Sequence, residues 1–130
     1  MPHRYEFDHD HRILVGVLEG DLQDADLLAF DDGFRKYITK FSPSGGITDF
    51  SGITAFSASG EVVRAIAQTP PSYKVPIPWF LVAPRDVHYG MARMYQIIAS
   101  DTRPKLQVVR SREAAFAALG VQNPKFESVE

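Results

Sequence analysis

Five consecutive residues, Trp79-Phe80-Leu81-Val82-Ala83, are apolar with no polar residue between them. A strand with one wet face alternates, so an unbroken apolar run fits a strand covered on both faces, in the middle of a sheet flanked by helices. A proline-rich turn ending near Pro78 precedes the run, and Pro84-Arg85-Asp86 closes it. The rest of the chain has to supply neighbouring strands and the helices that cover them.

It does so in alternation. Arg4 to Asp8 and Arg12 to Leu18 carry β-type residues around the short polar stretch Asp8-His9-Asp10-His11, which reads as the turn of a β-hairpin. Gly20 to Asp24 then breaks the strand, and Leu27, Phe30, Phe34, Ile38 and Phe41 recur at helical spacing. Ser42-Pro43-Ser44-Gly45-Gly46 has the chemistry of a loop, and Ile47 to Phe50 that of a central strand ending at Asp49-Phe50-Ser51-Gly52. A second helix starts near Ser57 and stops at Pro70-Pro71; Met91, Met94, Tyr95 and Ile98 mark a third. Lys105 to Arg110 is a last strand, and Ser111 caps a final helix that ends at Gly120. The expected fold is α/β, order ββαβαβαβα: a mixed, mostly parallel sheet with an amino-terminal hairpin and four helices.

The 130 residues fit one domain, spanning residues 1–130, and 45% hydrophobic with 23% charged residues is ordinary for a globular chain. A formal charge of −2 with scattered basic residues argues against a nucleic-acid surface. The chain has no cysteine, which removes disulfides, thiolate chemistry and Cys-ligated metals and fits a reducing compartment, the cytoplasm by default. No apolar run reaches membrane-spanning length, and the amino terminus lacks the apolar core of a signal peptide.

Strand ends in a parallel sheet are where working loops gather. Here Asp49-Phe50-Ser51-Gly52 and Ser57-Ala58-Ser59-Gly60 resemble the signature of STAS domains, the SpoIIAA-like anti-anti-sigma modules. In that family an Asp-x-Ser-Gly-like element ends a strand, and an Asp-Ser-Ser-Gly at the next helix start holds a phosphoacceptor serine. Laid over this chain, the acceptor position falls on Ala58. The resemblance implies the SpoIIAA-like fold and regulation through protein binding. A one-residue slip would bring Ser57 or Ser59 to the acceptor position, where the helix amino terminus would stabilise a phosphate; the plainer reading is a helix cap with Gly60 behind it.

Arg85, His88, Tyr89 and Arg93 follow the apolar run and are expected at the same sheet edge, where they could converge on an anion. Against that, Asp86 reads as a cap and Tyr89 as packing. His9-Asp10-His11, with His3 nearby, reads as a turn rather than a metal site, and Asp21, Asp24, Asp26, Asp31 and Asp32 read as the charged start and solvated face of the first helix. No catalytic constellation, nucleotide fingerprint or cofactor motif can be assembled.

Two functions are therefore expected in order. The first is a non-catalytic STAS/SpoIIAA-like module that binds a protein partner, and itself as a homodimer, through the first helices and the loop from Ser57 to Gly60. The alternative is a small-molecule or lipid-like ligand-binding domain, by likeness of SpoIIAA-like folds to the CRAL-TRIO architecture, with its pocket bordered by Phe56, Trp79, His88, Tyr89 and Arg93. A closed, water-excluding cavity lined by Trp79, His88, Tyr89 and Arg93 favours the second; a flat apolar patch near the second helix favours the first.

Overall fold

The computed structural model describes residues 3–129. Strands β1 (His3–Asp8) and β2 (Ile13–Leu22) form the hairpin, and then come α1 (Asp24–Phe41), β3 (Gly45–Phe56), α2 (Gly60–Gln68) and β4 (Trp79–Val82). After these follow α3 (Asp86–Ile98), β5 (Leu106–Val109), α4 (Arg112–Leu119) and a short β6 (Glu127–Val129). The order ββαβαβαβα is as the sequence predicts, with β6 added at the end.

The strands lie side by side as β5-β4-β3-β2-β1-β6. Neighbours from β2 to β5 run parallel, whereas β1 is antiparallel to both β2 and β6. The sheet is thus mixed rather than mostly parallel, because β6 adds a second antiparallel ladder that three residues of pattern could not announce. As expected, the apolar run forms an interior strand, with β3 and β5 on its two sides.

Alternation along β2 divides the core. Leu14 and Leu18 face α1, α2 and α3, while Ile13, Val15 and Val17 join Ile47, Phe80 and Val82 against Ala115, Phe116 and Leu119 on or beside α4. Three helices therefore cover one face and a single short helix the other. The long stripe of α1 lies close on the sheet at Gly16, where a Cβ would collide with the rings of Phe30 and Phe34. A neighbouring aromatic layer ties the hairpin in: Tyr5 stacks on Phe30 and donates its hydroxyl to the Phe30 carbonyl at 2.7 Å.

The hairpin turn is held by Asp8, which is buried. Its carboxylate accepts from the backbone N–H of Asp10 and of His11 and lies 2.9 Å from His11 Nδ1. Burial opposes the charge, but these hydrogen bonds and one from the Lys125 N–H outweigh it and hold the carboxyl below its usual range.

Two expectations about β3 need correction. Gly45 and Gly46 are not loop but the first residues of the strand, pressed under Leu119 and Trp79 respectively. Nor does the strand end at Asp49-Phe50-Ser51-Gly52: β4 pairing stops at Asp49, yet β3 continues to Phe56 as a partner of β2 alone. Register shifts between Val17 and Glu19 and between Gly20 and Asp21 let the two strands stay paired through this irregular stretch.

Candidate functional site

The extended end of β3 delivers the chain into the turn before α2, and this turn is tied down from an unexpected side. Ser57 Oγ donates to Asp21 Oδ1 at 2.7 Å, and the Ser59 N–H donates to Asp24 Oδ1 at 2.6 Å. Ser59 itself caps α2, its hydroxyl accepting from the Val62 N–H. Of the acidic residues read as a solvated helix start, Asp26 does cap α1, accepting from the Gln23 N–H. Asp21 and Asp24 instead clamp the turn, two elements away in sequence.

The motif divides between the two faces of the sheet. Asp49 is buried on the α4 side, where its carboxylate accepts from the Ser51 N–H at 2.9 Å and from Arg112 Nε at 2.7 Å. Arg112 also reaches Glu6, at 3.2 Å, so one guanidinium joins α4 to two strands. Ser51 is exposed. Phe56, Ala58 and Gly60, by contrast, border a cavity on the opposite face.

That cavity measures about 440 Å³ and lies between the sheet and α1, α2 and α3. Trp79, Leu81, Thr48 and Leu18 form its floor. The tryptophan is fixed there by Nε1 donating to Thr48 Oγ1 at 3.0 Å and by an edge contact with Phe34. Phe30 and Phe34 of α1, Val63 and Ile66 of α2, and Met91 and Ile98 of α3 make an apolar wall. Arg64 and Met94, also part of the lining, are exposed, which puts the mouth between α2 and α3. α2 packs on α1 and α3 and roofs the space.

One end is polar. Arg35 donates Nε to Asp31 Oδ2 and Nη1 to the Pro70 carbonyl, both at 2.9 Å, while its Nη2 is buried with no hydrogen-bond partner among the described residues. Arg103 donates Nη1 to the carbonyls of Ala67 and Thr69, and its guanidinium lies 6.0 Å from the Tyr95 ring centroid. Burial raises the pKa of the Tyr95 phenol, against the nearby Arg103 and with Asp31 adding to the rise. Tyr73, raised by burial as well, closes this end.

The cluster expected on α3 does not converge. Arg85, rather than Asp86, stands at the cap position of the helix but makes no side-chain cap, and donates Nη2 to the Ile53 carbonyl at 2.7 Å. His88 turns inward and is buried, Tyr89 lies under the Arg110 guanidinium at 3.9 Å, and Arg93 is exposed. Asp86 pairs with Arg110. Of the residues expected to border a ligand pocket, Phe56 and Trp79 line the cavity; His88, Tyr89 and Arg93 do not. The sequence reading missed Arg35, Tyr73, Tyr95 and Arg103 as a group. Tyr95 was visible only as a member of a helical stripe and Arg35 only as one of the scattered basic residues, and nothing local joins residues from α1, α3 and two loops.

No family model matches the chain, and no curated protein matches it.

Proposed function

We propose that this domain is a non-catalytic, STAS/SpoIIAA-like module whose work is to hold a small, mainly apolar molecule beneath α2. The observation that carries this reading is the cavity. Protein interiors pack close to crystal density and leave few voids larger than a water molecule, whereas ligand sites typically span about 300–1,000 Å³. At about 440 Å³, roofed by one short helix and floored by a fixed tryptophan, the space has the size and wall chemistry of a ligand site. The polar side chains around it are largely engaged in holding backbone, as Arg103 does at Ala67 and Thr69. That supports binding over chemistry.

The test is titration with the uncharged fluorophore N-phenyl-naphthylamine. Wild-type protein should enhance its emission with saturable, micromolar binding. Val63→Trp, which fills the space from α2, should abolish binding while the thermal midpoint stays within a few degrees. Absence of binding to the wild type, or equal binding by the filled variant, overturns the reading.

A further inference from the structure

The cavity's charge is uneven. Three arginines, Arg35, Arg64 and Arg103, are among its lining residues, with Asp31 as the one carboxylate residue. Asp31 offsets only Arg35, whose Nε donates to it while Nη1 donates to the Pro70 carbonyl. Arg64 and Arg103 have no carboxylate partner among the described residues. An anionic head would balance that excess of positive charge, through charge-assisted hydrogen bonds.

We propose that the ligand is a single-chain anionic amphiphile, its hydrocarbon lying against Trp79, Phe34 and Val63 and its acid head at the end of the cavity that Arg35 and Arg103 line. This rests on the reading of the cavity as a ligand site and adds the class of molecule. A cavity of about 150 Å³ holds one benzene, so about 440 Å³ admits on the order of a dozen to eighteen carbons. A nucleotide or a sugar would face walls of Phe, Val, Ile and Met with few hydrogen-bonding groups. A cation would meet three arginines. Tyr73 and Tyr95 line the same cavity, and burial raises both phenols, so their hydroxyls stay protonated at neutral pH.

Carboxylates and phosphate monoesters share this chemistry, and three ten-carbon probes separate them: decanoate, decyl phosphate and decanol, each competing with the uncharged fluorophore on the full chain. At least one acid should bind roughly tenfold to a hundredfold tighter than the alcohol, the range expected of a charged hydrogen bond, and the tighter of the two acids identifies the head. Arg35→Gln should bring the acids down towards the level of decanol measured on the same variant. Arg93→Gln, which removes a charge on α3 outside the cavity, should leave the preference intact. Equal binding of acids and alcohol, or a preference that survives in Arg35→Gln, overturns the inference and leaves the ligand site standing. If neither the fluorophore nor any probe binds, the ligand site itself falls, and this inference with it.

Discussion

His88 is a titratable side chain held in an apolar setting. It is 5% exposed, on the inner stripe of α3, with Nδ1 unpartnered among the described residues. Burial lowers its pKa and the Arg85 cation lowers it further, so the folded state holds the ring neutral where the unfolded chain would protonate it. The unfolded state then binds more protons below the ordinary histidine value of about 6.5, and stability falls as pH drops from there towards the lowered folded value. His3, also lowered chiefly by burial, acts in the same direction. Asp8 contributes a separate loss further down, as pH falls from the ordinary carboxylate range through its depressed folded value. Urea midpoints should therefore decline between pH 7.5 and 5.5, and His88→Leu should flatten that decline. A slope unchanged in the variant would mean that His88 protonates in place.

At the scale of elements, the turn from Ser57 to Ser59 shows how a local motif is overruled by its surroundings. A serine at a helix amino terminus normally welcomes negative charge. Ser57, however, donates to Asp21, and Asp24 holds the next N–H along. A second carboxylate at position 57 would meet Asp21 at hydrogen-bond distance. Ser57→Ala should cost about 1 kcal/mol for the lost hydrogen bond, and Ser57→Asp about 1–2 kcal/mol beyond it through repulsion. Asp21→Asn should recover most of the second loss, by denaturant titration of the four proteins. The periodic helices were legible from residue spacing, as were the Ser111 cap and the Gly120 stop, since each depends on neighbours within a turn or two. The length of β3 was not. Asp49-Phe50-Ser51-Gly52 looks like a strand end by itself, and it stays extended because β2 supplies a partner with shifted register.

For the whole molecule, the uneven coverage of the sheet matters most. α4 packs tightly beneath it, with Ala115 fully buried and Arg112 joined to Asp49 and Glu6, whereas α2 spans a cavity. An element with fewer buried contacts opens at lower free energy, so α2 amides should exchange with solvent faster than those of α1. A ligand seated beneath α2 should slow that exchange selectively, and at a hundredfold excess over its dissociation constant it should add about 2.7 kcal/mol to global stability. Hydrogen exchange followed by mass spectrometry, with and without saturating ligand, measures both effects. Uniform exchange across the three helices would show that α2 is as well supported as the others.

The sequence by itself determined the layers: the order of strands and helices as far as α4, and that the run from Trp79 to Ala83 lies inside the sheet. These follow from hydrophobic period and turn chemistry, which act over a few residues. Only the tertiary structure decided that Asp21 clamps Ser57, that Arg112 reaches Asp49 across 63 positions, and that Arg35, Tyr73, Tyr95 and Arg103 gather at one end of a cavity. Hydrophobic patterning specifies that a face is buried, but not how completely the buried faces fill the space between them. That space is set by where three helices come to rest on one sheet.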